Sequence, residues 1–392
     1  MNKNIPKHKR LTKKLIAYLD KDPDLKRLVE KSLANAKKIN PDKSTNPAQT
    51  LEELYDFFDW ATECMPWSVL PNVKYPTLYE HLDQCVGYVW FIFGQPLDEL
   101  KDKGFYYPSV EYVEPLASWI KQYSKTWGKF LSKRASWNDD YFKLVLSDSK
   151  FNFDKGWYAN QNIWRSFNDF FARKLVNPDC RPIASTEVVC PADSKPQGVY
   201  RIDDSNHLIH HDVVLKSARL SSIEDLIGRD SQYATAFAGG TLTHTFLDVN
   251  DYHRYHFPVD GKILEIRKIS AGNNGGGIAE WDAKSQRYVY FNEMGFQMLE
   301  TRDCIILDTE YGLVAVLPVG MSQVCSCNFE KNLKVGQIVK KGQPLGYFMF
   351  GGSDIVMIFQ KDVNYIDQTQ KDKQGNHVHL LMGEPYAKLE KI

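Results

Sequence analysis

Hydrophobic positions in the first part of the chain recur at helical spacing. Residues 51–61 carry apolar side chains three or four positions apart. At the start of this stretch, Thr50 and Glu53 have the spacing of a helix capping box. A second helix is predicted after Pro115, where one face carries Leu116, Trp119, Ile120, Tyr123, Trp127, Phe130 and Leu131. An aromatic stripe of this kind usually packs into a core. These patterns predict a helical amino-terminal region over residues 1–155.

The pattern changes from about residue 186 to short apolar and β-branched segments separated by turn residues. Strands are predicted at 188–190, 241–247, 262–269, 304–308 and 313–318. We therefore expect an α+β protein, with the helical region followed by a β-rich domain over residues 156–392. Glycines at turn-like intervals over 335–346 resemble the half-motifs of biotinyl- and lipoyl-carrier domains. The carrier lysine is missing, so the stretch predicts a barrel-sandwich-like core without a swinging arm.

Charge and composition exclude several classes of protein. The 392 residues contain 49 Lys and Arg against 49 Asp and Glu, so the electrostatic attraction on which non-specific nucleic-acid binding depends is missing. No apolar run reaches the roughly 18–20 residues that span a bilayer. Seven cysteines, an odd number in a long chain, favour a reducing compartment over a disulfide scaffold. We expect a cytoplasmic protein without a nucleic-acid partner.

Three short segments carry candidate chemistry. Asp193 follows an apolar strand and by itself is typical of a turn. His253 and His256 lie three residues apart beside aromatic residues. No third ligand follows at a convincing spacing, so no metal site is predicted, and acid–base and structural roles stay open. Gly352 and Ser353 lie between two apolar runs, either in a hairpin turn or in a strained peptide whose carbonyl the serine can attack.

In their order along the chain, these segments resemble the motifs of the phosphatidylserine decarboxylase family, whose members depend on a pyruvoyl group. The matching motifs are F-F-x-R-x-L at 170–175, R-P-I at 181–183, P-A-D at 191–193, Y-H-R-x-H-x-P at 252–258 and G-G-S at 351–353. Together they cover about residues 160–360. The helical amino-terminal region resembles the extension of the soluble members that include fungal L-tryptophan decarboxylases.

The resemblance implies that the chain cleaves itself immediately before Ser353, in the catalytic domain. It implies that Asp193 orients His256 and that His256 removes the proton of Ser353, while His253 lies near the substrate and assists decarboxylation or reprotonation. The small chain, residues 353–392, would stay bound to the large one and begin with a pyruvoyl group made from Ser353. The resemblance implies no pyridoxal phosphate and no metal.

The substrate implied by the resemblance is phosphatidylserine, which loses its α-carboxylate through a Schiff base to give phosphatidylethanolamine. A soluble decarboxylase of a free L-amino acid such as tryptophan stays open, as does a binding protein that kept the fold but does not mature. The second alternative is motivated by Asp354, where the family commonly has Thr or Ser, because a carboxylate beside Ser353 can alter or slow proton transfer. A metal or thiol hydrolase built on His253, His256 and Cys327 is the least favoured interpretation. A homodimer and peripheral membrane contact also stay open.

Overall fold

Helices occupy the first part of the chain and strands the rest. The computed structural model describes residues 8–70, 74–159, 163–209, 222–270, 278–291, 295–320, 326–351 and 353–391. The α-helices of these residues are Arg10–Lys21 (α1), Pro23–Ile39 (α2), Leu51–Ala61 (α3), Leu78–Phe93 (α4), Leu116–Leu131 (α5), Asp139–Leu146 (α6), Phe167–Phe171 (α7) and Ile223–Ile227 (α8). Among them, none is both long and apolar enough to cross a membrane.

The strands begin shortly after α7, and α8 interrupts them once. They are Val188–Val189 (β1), Lys195–Ile202 (β2), Leu208–Ile209 (β3), Thr241–Leu247 (β4), Arg254–His256 (β5), Gly261–Ile269 (β6), Ile278–Asp282 (β7), Arg287–Phe291 (β8), Thr301–Asp308 (β9), Leu313–Gly320 (β10), Cys327–Phe329 (β11), Ile338–Val339 (β12), Pro344–Phe348 (β13), Ser353–Phe359 (β14), Val363–Asp367 (β15) and Pro385–Lys391 (β16). The five predicted strands are present as β1, β4, β6, β9 and β10, and the predicted α+β class is confirmed.

Side-chain caps explain where two of the helices begin. The Thr50 hydroxyl accepts a hydrogen bond from the Glu53 backbone N–H, which caps α3 as predicted. The Glu53 carboxylate accepts from the backbone N–H of Gln49 at 2.9 Å, one residue earlier than a capping box requires. The reciprocal capping box occurs instead at α4, between Thr77 and Glu80.

The largest sheet places β14 near its centre. Its order within the described residues is β12-β6-β9-β10-β14-β4-β2-β3, and β14 is antiparallel to both of its neighbours. Two smaller sheets, β1-β16-β15 and β11-β13-β5, supply many of the other residues in one buried cluster with the large sheet. The predicted glycine-punctuated stretch contributes β12 to the large sheet and β13 to a small one. The β-rich part therefore has a sandwich arrangement.

The two faces of β14 pack into different hydrophobic clusters. Val356 and Ile358 belong to a cluster that includes residues of the amino-terminal helices, such as Phe58. Ile355 and Met357 belong to the cluster formed between the large and small sheets. This alternation follows from the two-residue period of a strand. The helices therefore cover one face of the sheet, and the small sheets cover the other.

Candidate active site

The predicted cleavage serine is the first residue of β14. Ser353 pairs with Gly320 of β10 and with Leu247 of β4. Its side chain is fully buried, and its hydroxyl has no hydrogen-bond partner among the described residues. Gly352, the other residue of the predicted cleavage site, lies outside the described residues; Gly351 before it has φ +149°, which favours glycine. Because an unpaired buried hydroxyl is destabilising by about 1–3 kcal/mol, Ser353 is a candidate reactive group.

His253 presents one ring nitrogen without a partner. Its Nδ1 lies 2.9 Å from the carbonyl oxygen of Asp251, and since a carbonyl only accepts, Nδ1 carries the hydrogen. Its Nε2 is buried and has no partner among the described residues. The ring stacks on Phe171 with centroids 3.8 Å apart. Burial, assisted by the charge of Arg173, holds the pKa of His253 well below its usual value. The imidazole is therefore neutral at neutral pH, with a free lone pair on Nε2.

His256 has partners on both ring nitrogens. Its Nδ1 donates to the carbonyl oxygen of Gly342 at 2.8 Å, so its Nε2 accepts from the hydroxyl of Tyr252 at 3.1 Å. Burial lowers the pKa of His256 to about 4, and the hydrogen bond to Gly342 opposes this shift. The imidazole is therefore neutral at neutral pH, but its lone pair is already engaged.

Asp193 forms an ion pair that the sequence analysis did not assign. Arg181 donates to its two carboxylate oxygens at 2.8 and 2.5 Å, and the backbone N–H of Met382 adds a third hydrogen bond at 2.9 Å. The expected hydrogen bond from Asp193 to His256 is absent from the described residues. The physical reason is that a guanidinium presents two donors at the spacing of a carboxylate and occupies both of its oxygens.

The strand register separates the two histidines along β13. His256 is opposite Pro344, at the start of β13. The carbonyl of His253 accepts from the backbone N–H of Phe348 at 2.9 Å, at the end of the same strand. The two histidines are three residues apart, which corresponds to about 10 Å of extended strand. His253 is therefore held at the end of β13 from which the chain continues to Ser353.

The carboxylate of Asp354 is directed away from the serine. One of its oxygens accepts from His244 Nδ1 at 2.9 Å and from Gln297 Nε2 at 2.8 Å. Asp354 and His244 are both 1% exposed, so the pair is part of the interior. Successive residues of a strand point to opposite faces, which places the Asp354 and Ser353 side chains on different faces of the sheet.

Two cavities are lined by some of the residues described above, although neither Ser353 nor His253 is among their lining residues. The first, of about 860 Å³, is lined by Tyr252, His256 and Arg181 among others, and the second, of about 700 Å³, by Arg173 and Asn168 among others. The residues that line both are Lys174, Arg254, Glu330 and Asn332. The two spaces are large enough for a small-molecule ligand.

The geometry argues against a thiol nucleophile at Cys327. Its sulfur lies 3.3 Å from the carbonyl oxygen of Pro318, and burial raises its pKa well above the usual value, so the thiol stays protonated. The part of the chain that the structure describes contains no group of three His, Cys, Asp or Glu side chains that could hold a metal ion.

Sequence reasoning did not assign several residues that the fold brings to the site. Arg181 and Arg173 lie inside the motifs quoted above, so the signal for them was present. Tyr252 also lies in such a motif, as the residue before His253. His244 gave only a weak signal, a single histidine within the apolar strand β4.

The chain matches a family model whose description names an enzymatic activity. The family model described as phosphatidylserine decarboxylase matches residues 167–388, more than half of the chain. The match includes Asp193, His253, His256 and Ser353.

Individual relatives carry similar names. A phosphatidylserine decarboxylase proenzyme of Clostridium perfringens is 30% identical over 304 residues, which cover 72% of this chain and 92% of the relative. A phosphatidylserine decarboxylase proenzyme of Chlamydia trachomatis is 33% identical over 57% of this chain and 70% of its own length. Phosphatidylserine decarboxylase proenzyme 2 of Oryza sativa is 32% identical over 63% of this chain, but the match spans only 38% of that relative.

Proposed function

Because the chain belongs to the phosphatidylserine decarboxylase family, a family of carboxy-lyases, we propose that it is a self-processing decarboxylase that converts phosphatidylserine to phosphatidylethanolamine. The observation that carries the proposal is a pair of buried, unpartnered atoms in the described structure, the Ser353 hydroxyl and His253 Nε2. The word proenzyme in the names of the relatives supports self-processing.

In the proposed maturation, the Ser353 hydroxyl attacks the carbonyl carbon of Gly352. The new C–O bond replaces the C–N bond, and the amide becomes an ester. Elimination removes the proton from Cα of residue 353, breaks the bond between its Cβ and Oγ, and releases a carboxylate on Gly352. Hydrolysis of the remaining dehydroalanine expels ammonia and leaves a pyruvoyl group at position 353. A buried serine hydroxyl without a competing partner suits this sequence of steps.

We assign the base to His253, because its Nε2 lone pair is free whereas that of His256 accepts from Tyr252. His253 Nε2 can take the proton that Ser353 Oγ loses during maturation. In the mature enzyme it can take a proton from the substrate ammonium and return it to the α-carbon after CO2 leaves. We assign Asp193, with Arg181, and His256 to orienting Tyr252 and the wall of the larger cavity.

The pyruvoyl group supplies a carbonyl that condenses with the substrate amine and accepts the electrons left by CO2. The chain's own contribution is to keep position 353 buried and to hold the small chain, residues 353–392. Strand β14 lies between β10 and β4, and all seven of its residues are buried. These contacts favour a small chain that stays in place after cleavage.

The intact mass of the purified protein under denaturing conditions tests the proposal. Two chains are expected, the smaller one being 40 of 392 residues, or about 4.6 of 45.2 kDa, with an amino terminus blocked to Edman degradation. Ser353→Ala is expected to abolish the cleavage. A single uncleaved wild-type chain that is fully folded would favour a binding protein that does not mature.

A product assay then separates the two substrate classes. The mature protein is incubated with phosphatidylserine in mixed micelles and, separately, with free L-amino acids including tryptophan. Phosphatidylethanolamine formed only in the first reaction supports the proposal, while an amine formed only in the second supports an amino-acid decarboxylase. The proposal includes a cytoplasmic location with peripheral access to lipid, and the free thiols of the described cysteines fit a reducing compartment.

A further inference from the structure

Arg173 is a buried cation that uses only part of its hydrogen-bonding capacity. It follows α7 and is 1% exposed. Its Nη2 donates to the carbonyl oxygens of Asn250 and Asp251 at 2.6 and 2.8 Å and to the hydroxyl of Tyr158 at 3.4 Å. Its Nε and Nη1 have no partner among the described residues. Since Nε carries one hydrogen and Nη1 carries two, three N–H groups are left without an acceptor.

No carboxylate of the described residues forms an ion pair with this guanidinium. Aromatic rings pack against the guanidinium, whose carbon lies 4.5 Å from the Tyr158 ring centroid and 5.4 Å from the Phe170 ring centroid. Rings attract a cation, but they do not accept the in-plane N–H groups of a guanidinium. Burying a charge without a counter-ion is unfavourable, so the arrangement is incomplete without an anion.

Arg173 and His253 are held by the same oxygen atom. Arg173 Nη2 and His253 Nδ1 both donate to the carbonyl of Asp251, at 2.8 and 2.9 Å. The separation of Arg173 Nη2 and His253 Nδ1 therefore cannot exceed the sum of these two distances. Arg173 also lines the cavity of about 700 Å³, together with Asn168 and Arg254. An anion bound to Arg173 would lie in this cavity, beside the histidine to which we assign the proton transfers.

We propose that Arg173 binds a non-reacting oxyanion of the substrate, the phosphodiester of a seryl headgroup. The α-carboxylate is a poorer candidate, because it loses its charge as CO2 forms. A cation on that carboxylate would stabilise the ground state more than the transition state and would slow the reaction. The phosphodiester keeps its charge throughout and lies only a few bonds from the reacting carbon. This inference rests on the proposed function and adds to it the residue that recognises the phosphate.

The same contact would couple substrate binding to proton transfer. The positive charge of Arg173 contributes to the low pKa of His253, after burial. An anion that neutralises this charge would raise the pKa of His253 and make Nε2 a stronger base. A substrate without a phosphate would leave the charge uncompensated.

The test uses the uncleaved Ser353→Ala full-length protein, so that binding is measured without turnover. The probe is glycerophosphoserine, a soluble phosphodiester, titrated by calorimetry, with free serine as the ligand that lacks phosphate. Arg173→Gln is expected to weaken glycerophosphoserine binding about 10- to 100-fold, the range for hydrogen bonds to a charged group, and to leave serine binding unchanged.

Arg165→Gln provides the matched control, because Arg165 is an exposed arginine that is not among the residues lining this cavity. Its substitution is expected to change binding by less than about threefold, since exposed charges are screened. Arg173→Lys, which keeps the charge, provides the test if Arg173→Gln does not fold, and an intermediate loss is expected.

Unchanged affinity for glycerophosphoserine in the folded Arg173 variants would overturn the inference, as would an equal loss for serine. Lipid vesicles with and without phosphatidylserine distinguish a lipid headgroup from a soluble phosphodiester as the source of the anion. If the precursor binds glycerophosphoserine through Arg173 but the mature protein does not decarboxylate phosphatidylserine, the proposed function fails and the binding site stands. If the protein decarboxylates phosphatidylserine but Arg173 is indifferent to the probe, only the inference fails.

Discussion

At the scale of single residues, the centre of this molecule is marked by polar atoms that are buried and unpaired. Within the described part of the chain, the Ser353 hydroxyl, His253 Nε2 and two nitrogens of Arg173 all lack a partner. Folded proteins satisfy the great majority of their buried polar groups, and those that they leave unsatisfied call for an explanation. One explanation accounts for all of these unpaired atoms, namely a site that carries out a reaction and binds a ligand.

The two histidines can be separated by matched substitutions. His253→Asn and His256→Asn each keep a donor near the position of Nδ1 and remove Nε2. If His253 is the base, His253→Asn is expected to slow self-cleavage by about 10²- to 10⁴-fold. His256→Asn removes one hydrogen bond to Tyr252 and is expected to slow it by less than about tenfold.

The measurement is the fraction of cleaved chain against time, by mass spectrometry, in variants whose folding has been checked by circular dichroism. The opposite order of effects would return the base to His256, as the sequence resemblance implies. Equal and severe effects would mean that the two residues act as one unit.

At the scale of elements, β14 carries the candidate reactive serine on one face and a buried polar pair on the other. Asp354 is joined to His244 of β4 and to Gln297, while Ser353 faces the other side of the sheet. One carboxylate oxygen of Asp354 is therefore matched by partners from two other segments, while its other oxygen has no partner among the described residues. Its geometry fits a role in anchoring β14 better than a role in proton transfer.

Asp354→Ala and Asp354→Asn test this anchoring role. The alanine variant leaves two buried donors without an acceptor, so we expect it to lower the free energy of unfolding by about 2–4 kcal/mol. The asparagine variant keeps an acceptor and is expected to lose less. Urea denaturation of uncleavable Ser353→Ala protein, with and without each change, measures the difference.

The self-cleavage rate of Asp354→Asn tests the opposite interpretation, in which the carboxylate takes part in proton transfer at Ser353. A rate within about threefold of wild type excludes general acid–base participation, which would contribute 10²-fold or more. A loss on that larger scale would show that the carboxylate acts on Ser353 after all.

At the scale of the whole molecule, the predicted cleavage falls immediately before β14, a strand near the centre of the large sheet. The part of the chain after it supplies β14 to the large sheet and β15 and β16 to a small one, where β16 pairs with β1. The large and small chains would therefore share hydrogen bonds in two sheets and contacts in both hydrophobic clusters. Such a fold does not need the peptide bond before Ser353 to stay assembled.

We accordingly expect the mature protein to behave as one body. On native size-exclusion chromatography, cleaved wild type and uncleaved Ser353→Ala should elute together, and thermal unfolding of each should be a single transition. Loss of the small chain from the native peak would contradict the retention that we propose.

Much of this architecture was predictable because its causes are local. Helical and strand periodicity depend on neighbouring residues, so α3, α5 and the five predicted strands could be recognised from spacing alone. The order of short motifs likewise directed attention to Ser353, the two histidines and Asp193. What spacing does not contain is the set of partners that distant segments supply.

The sequence by itself determined the class of fold, the family and the residues around which the site is built. Only the tertiary structure decided how those residues are connected. Asp193 pairs with Arg181, and the lone pair of His256 is engaged because the carbonyl of Gly342, 86 residues away, fixes the ring's tautomer. Among the described residues, His253 Nε2 has no partner, whereas its Nδ1 donates to the carbonyl of Asp251. The reason is that hydrogen bonding is settled by which groups meet in space, and a linear pattern does not record those meetings.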